Sequence, residues 1–97
     1  MILHIPTAVL SALRQTAAAA GVGFDVVAAV ALDQFGRLPA VMRSGLMGEF
    51  RALATGPREP VELARLGTTS NGALAALWVF AELPAADRLA LVEAGWR

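Results

Sequence analysis

The first 35 residues constrain this chain most, because they predict a strand and two helices with almost no spacer between them. A short apolar run, Ile2 to Ile5, is followed by Pro6. β-branched and bulky apolar residues favour a strand, and the proline blocks further ladder pairing. A lone strand leaves its backbone donors and acceptors unpaired, and the sequence predicts no second strand later in the chain. The expected partner is therefore the same strand of a second copy, with two outward residues, Ile2 and His4, and two inward ones, Leu3 and Ile5.

Both helical segments that follow carry apolar residues at helical spacing. We expect Thr7 to cap the first helix and Gly21 to end it as a left-handed C′ residue. The second helix begins after Gly23 and has apolar residues at i, i+3, i+4, i+7, i+8 and i+11, which are Phe24, Val27, Ala28, Ala31, Leu32 and Phe35. Other apolar residues flank this stripe, so we expect the second helix to be buried on several sides.

This order of elements resembles the ribbon-helix-helix superfamily, the MetJ and Arc class of DNA-binding proteins. The matching pattern is strand, proline, helix, G-V-x-F and then A-L-x-x-F, and it covers about the first third of the chain. The resemblance implies that this part forms a ribbon-helix-helix, in which one short N-terminal strand pairs across a homodimer. Together with about four further helices expected after it, the fold class is mainly all-α. It also implies a dimer core made of Leu3, Ile5, Val9, Leu13, Val27, Ala31, Leu32 and Phe35.

The resemblance further implies a DNA-binding site in two parts. In the family, outward strand residues contact bases in the major groove, and the amides that open the second helix hold a phosphate. The corresponding residues here are Ile2 and His4 for the bases and Gly23, Phe24 and Asp25 for the phosphate. The protein would then be a homodimeric transcriptional repressor or antitoxin that binds duplex DNA.

The chemistry of these residues also supports a second hypothesis, a homo-oligomeric helical module that binds only protein. Base edges are contacted through hydrogen bonds, and Ile2 offers none while Asp25 places a negative charge beside the expected phosphate. The chain has no lysine, and its 8 basic and 8 acidic residues leave a net charge of zero. Duplex binding usually neutralises several phosphates with basic side chains, so this electrostatic footprint is missing.

Composition favours an oligomer under either hypothesis. The chain has 97 residues, of which 57% are hydrophobic and 16% charged. A chain of this size buries only a little over half of its unfolded surface, so we expect an apolar interface between copies. The absence of cysteine and of a signal-like amino terminus predicts a cytoplasmic protein, and the apolar runs are too short to predict a membrane span.

A third helix is expected from Pro39, with an apolar side made of Val41, Met42, Leu46, Met47, Phe50 and Leu53. Gly45 and Gly48 within it indicate close approach by another helix. The segment 55–60 has two prolines and a glycine and predicts a linker. The sequence thus divides into a dimerisation module at 1–38, a connecting helix at 39–54, the linker, and a C-terminal interaction module at 61–97.

In the C-terminal module we expect a short helix from Val61 to Leu66, a loop at 67–72, and a helix from Ala73 to Glu82. The loop either caps the next helix through Ser70 or Asn71 or holds an anion. Residues 61–78 also loosely resemble a helix-turn-helix, with its recognition helix at 71–78. A last helix follows Pro84 and stops at Gly95. Three residues are predicted to contact a protein partner, Trp78, Trp96 and Arg97.

The sequence predicts neither catalysis nor a cofactor or metal ion. His4 is the only histidine, tyrosine and cysteine are absent, and the carboxylates are dispersed along the chain. These residues cannot supply a nucleophile with its base, a paired carboxylate site or a set of metal ligands.

Overall fold

The computed structural model describes residues 1–63 and 69–96. It is mostly helical, with a short two-stranded antiparallel sheet and principal extents of 32 × 30 × 26 Å. The elements in chain order are β1 (Ile2–Pro6), α1 (Thr7–Ala20), α2 (Phe24–Gly36), α3 (Ala40–Leu53), β2 (Arg58–Glu62), α4 (Ser70–Ala81) and α5 (Ala85–Trp96).

The expectation that no second strand occurs is wrong, because β1 pairs with β2 of the same chain. The ladder places Ile2 opposite Glu62 and His4 opposite Pro60. Backbone bonds extend it at both ends, from Leu63 N–H to the Met1 carbonyl at 2.8 Å and from Thr7 N–H to the Pro57 carbonyl at 3.1 Å. The partner that a lone strand requires is therefore supplied within the chain.

The predicted faces of β1 are confirmed. Leu3 and Ile5 are buried, whereas Ile2 and His4 are exposed. The inward pair contacts the helices, since β1 packs mainly on α1 and α4. One apolar face toward the helices and one face toward solvent is the usual arrangement for a small antiparallel sheet.

The first two helices form where the apolar spacing predicts them. Gly21 has φ 68° after α1, which confirms the left-handed C′ residue. Thr7, however, makes no side-chain cap, and its hydroxyl lies 3.3 Å from the Pro57 carbonyl, to which it donates. Pro6 occupies the N-cap position instead. The N–H and the hydroxyl of Thr7 both donate to the Pro57 carbonyl, so Thr7 joins the two halves of the chain.

The core is shared by elements from both halves of the sequence. α4 packs against α1, α2 and α3, and α5 packs against α1 and α2. The residues implied as a dimer core are buried within the single chain, except for Leu32, which is half-buried. No single helix within the described ranges is long and apolar enough to cross a lipid bilayer, and α1 and α2 meet that test only as a pair that bends by 111°.

Several boundaries in the second half differ from the prediction. Residues 58–60 of the expected linker belong to β2, and so do Val61 and Glu62, which were expected to open a helix. Residues 64–68, which include the second half of that expected helix and the start of the loop, lie outside the described residues. α4 begins at Ser70, three residues earlier than expected. α5 continues through Gly95 to Trp96, so Gly95 does not stop it.

The cap of α4 is Thr69 and not Ser70 or Asn71. Its hydroxyl accepts a hydrogen bond from Gly72 N–H at 3.1 Å. The helix that follows is the centre of the core, with residues 72–77 and Phe80 buried. A recognition helix must reach a DNA groove with exposed side chains, so the helix-turn-helix alternative at 61–78 is wrong.

Candidate interaction surfaces

The outer face of the sheet carries the two residues predicted to contact bases. Ile2 is 59% exposed and lies opposite Glu62, and the exposed His4 lies opposite Pro60. Arg58 completes the exposed side of β2. This face thus combines two basic side chains with one carboxylate, an isoleucine and a proline. It lacks the concentration of positive charge that binds phosphates.

Arg58 is held by the protein itself. Its guanidinium lies 5.6 Å from the centroid of the Phe50 ring, a cation–π distance. It also donates to the carbonyls of His4 and Ala54, each at 3.4 Å. The charged group is therefore shared among β1, α3 and the segment that follows α3.

The contact from Arg58 falls on the outer edge of β1. In an antiparallel pair, opposed residues alternate between pairs that exchange backbone hydrogen bonds and pairs that do not. The backbone hydrogen bonds at Met1 and Thr7 show that the odd-numbered residues of β1 are in the hydrogen-bonded pairs. The N–H and C=O groups of Ile2 and His4 therefore point away from β2. Because Arg58 donates to the outward carbonyl of His4, this edge is already partly occupied.

The residues predicted to hold a phosphate lie at the start of α2. Gly23 is the N-cap residue with extended backbone and no side-chain cap, Phe24 is half-buried, and Asp25 is exposed. Whereas β1 packs mainly on α1 and α4, α2 packs on α1, α4 and α5. The two parts of the predicted DNA site therefore lie on elements that share α1 and α4 as neighbours but make little contact with each other.

Asp25 lines an open groove of about 610 Å³ between α2 and the end of α5. Ala94 and Gly95 form the α5 wall, and Asp33 lies farther along α2, where Arg37 pairs with it at 3.1 Å. Asp25 and Asp33 are eight residues apart, or about 12 Å along the helix, which is too far for them to share a proton or a metal ion. Across residues 1–63 and 69–96, no three His, Cys, Asp or Glu side chains could hold a metal ion together.

The most apolar exposed surface lies on α3. Val41 is 82% exposed, Leu53 62% and Met42 50%, whereas Phe50 is the one buried residue of this helix. These three residues were expected to form one apolar side with Phe50. At 100° per residue Val41 lies on the side of the helix opposite Phe50, so only one of the two can face α4.

Four small or apolar residues form what we call the outer face of α3, namely Val41, Gly45, Gly48 and Ala52, and all four are exposed. A Cβ atom added at Gly45 or Gly48 would meet no atom of the described residues within 4 Å. The close helix contact expected at these glycines is therefore not made within the described part of the chain. The four residues are spaced at i, i+4, i+7 and i+11, and this spacing is the feature of the sequence that indicates a continuous face.

The inner side of α3 is anchored to the core. Phe50 lies against Trp78 of α4, with ring centroids 5.8 Å apart. Arg43 donates to the carbonyls of Gly36 and Leu38, each at 2.9 Å, and so fixes the start of the helix. Because these contacts fix α3 near both of its ends, the helix holds its outer face toward solvent.

Of the residues predicted to contact a partner, Trp78 is half-buried and packs on Phe50 of its own chain. The Trp96 side chain and Arg97 lie outside the described residues, as do residues 67 and 68 of the loop. Thr69 accounts for the capping role that was expected of that loop.

The chain matches no protein-family model, no curated protein and no solved structure. What the protein does must follow from the chemistry of its own surfaces.

Proposed function

We propose that this protein is a homo-oligomeric protein-interaction module that associates with further copies of itself through the outer face of α3. The observation that carries the proposal is the exposure of Val41, at 82%, on a helix whose opposite side is anchored by Phe50. Exposed apolar residues gathered on one helix commonly mark a protein contact. The high hydrophobic share of the sequence, 57%, supports the same conclusion.

The competing function is the homodimeric DNA-binding regulator, and the exposed His4 and Arg58 on the sheet are what favour it. Its two-fold strand pairing would have to use the outer edge of β1, where Arg58 already donates to the His4 carbonyl. Its duplex contact would bring Glu62 close to phosphates, without a net positive charge on the chain to offset that repulsion. The protein-interaction module requires neither the displacement of Arg58 from β1 nor the approach of Glu62 to phosphates, so we prefer it.

Sedimentation velocity on the unchanged protein and on Val41→Glu tests the proposal. We expect a concentration-dependent dimer for the unchanged chain. Val41→Glu should raise the dissociation constant by about a hundredfold or more, because an unpaired carboxylate would be buried in the contact. Val41 lies in the first turn of α3 and is exposed, so a glutamate there is compatible with the folded monomer.

Ala19→Glu is the matched control, since Ala19 is an exposed residue on α1, whereas α3 packs mainly on α4. It should leave the dissociation constant unchanged. An unchanged protein that stays monomeric at the highest soluble concentration would contradict the proposal. Micromolar binding of a labelled mixed-sequence duplex that weakens steeply with salt would favour the regulator instead.

A further inference from the structure

The outer face of α3 is bordered by opposite charges on its two sides. At 100° per residue, Glu49 and Arg51 each lie about 80° from the centre of this face, in opposite directions. Both side chains are exposed. The ion pairs among the described residues join Arg14 to Glu59 and Arg37 to Asp33, so neither Glu49 nor Arg51 has an ionic partner there.

This charge arrangement distinguishes the two ways in which identical helices can pair. In an antiparallel pair related by a two-fold axis, equivalent sides of the two helices meet. Glu49 would then lie on the same side as the partner copy's glutamate, and Arg51 on the same side as its arginine. In a parallel pair, opposite sides meet, and Glu49 of each copy faces Arg51 of the other. The two residues differ by about 3 Å in height along the helix, within reach of such long side chains.

From this complementarity we propose that the partner of α3 is α3 of a second copy in parallel orientation, with Glu49 and Arg51 forming two symmetric ion pairs across the dimer. This inference rests on the proposed function, and it adds the orientation and the charged contacts. Val41 supplies the largest apolar side chain at the seam. Gly45 and Gly48, whose Cβ positions are open, allow the two backbones to approach closely.

Cysteine cross-linking tests the orientation directly, because the chain has no cysteine of its own. Val41 and Ala52 lie at opposite ends of the face, about 16 Å apart along the helix, whereas a disulfide requires Cα atoms within about 7 Å. Under mild oxidation we expect Val41→Cys to cross-link with itself, and Ala52→Cys to do the same. An equimolar mixture of the two variants should give little of the mixed dimer.

The opposite pattern, in which the mixed dimer dominates and the single variants do not cross-link, would show an antiparallel pair and overturn this inference while leaving the proposed function standing. Gln15→Cys, at an exposed position on α1, gives the background of random collisions. Cross-linking at that background level for every variant, together with a monomeric unchanged protein, would overturn both proposals.

Charge reversal tests the ion pairs. Glu49→Arg and Arg51→Glu should each raise the dimer dissociation constant about tenfold at low salt, because each creates two like-charge contacts across the seam. The double variant restores opposite charges and should return to within about threefold of the unchanged protein. A double variant that dimerises more weakly than either single variant would overturn the predicted pairs. Far-UV circular dichroism checks that each variant keeps its helices.

Discussion

At the scale of single residues, Arg88 shows how a charged side chain can organise a core. It lies on α5 and is only 6% exposed. Its Nε donates to the Thr16 hydroxyl at 2.9 Å, and one terminal nitrogen donates to the carbonyls of Ala81, at 3.1 Å, and Leu83. The Ala81 carbonyl is at the C-terminal end of α4, and the Leu83 carbonyl follows two residues later, in a region where the helix dipole favours a positive charge. Arg88 therefore joins α1, α4 and α5.

We expect Arg88→Met to lower the free energy of unfolding by about 2–4 kcal/mol, because it leaves buried acceptors without their charged donor. Urea denaturation measures the change. Thr16→Val is the companion variant, since it removes one of these bonds and should cost about 1 kcal/mol. If Arg88→Met unfolded at the same urea concentration as the unchanged protein, the guanidinium would have no role in holding the three helices together.

At the scale of elements, β2 depends on its partner strand. Its sequence, Arg-Glu-Pro-Val-Glu, contains a proline and three charged residues, which strands usually avoid. Pro60 is accommodated because it lies opposite His4, in an unbonded pair where no N–H is required. The pairing is completed by the bonds that flank the ladder at Met1 and Thr7.

The same substitution at two positions of β2, Glu59 and Glu62, tests this ladder. The alternation directs the Glu59 N–H toward β1 and the Glu62 N–H toward solvent. We therefore expect Glu59→Pro to lower the free energy of unfolding by about 1–3 kcal/mol, because the Ile5 carbonyl would lose its donor, and Glu62→Pro to lower it by less than about 1 kcal/mol. The Arg14 ion pair of Glu59, at 3.9 Å on the surface, contributes little to that difference. Equal losses in the two variants would contradict the register.

At the scale of the whole molecule, the core is continuous across the segment expected to be a linker. Leu3 and Ile5 of β1, at the start of the chain, are buried in one cluster with Leu77 of α4 and Val92 of α5. The sheet itself joins residues more than 50 positions apart. Core residues in each half are covered by the other half and would be exposed without it. The chain should therefore unfold as one cooperative unit.

A fragment of residues 1–54 should therefore be largely unfolded by far-UV circular dichroism, since it lacks β2 and α4. Mixing it with a fragment of residues 55–97 should recover helical signal, because the missing core surface is restored. A fragment 1–54 that melted cooperatively by itself would instead support the independent N-terminal module that the sequence predicts.

Local patterns in the sequence are enough to predict α1, α2, α3 and the inward face of β1. The spacing of apolar residues along α1, α2 and α3 is a local property, and so is the left-handed glycine at position 21. The outward positions of Ile2 and His4 followed from strand alternation alone. These features require only neighbours within one or two turns of the chain.

Three features depend on tertiary packing, namely the strand that pairs with β1, the burial of Arg88, and the apolar side of α3 that faces solvent. Residues 58–62 lack strand propensity, and they form a strand because β1 presents unpaired backbone groups to them. Val41 and Phe50 are equally apolar in the sequence, but α4 can cover only one side of the helix, and it covers Phe50. Pairing and burial depend on surfaces brought together from distant parts of the chain, and these surfaces exist only once the helices have packed.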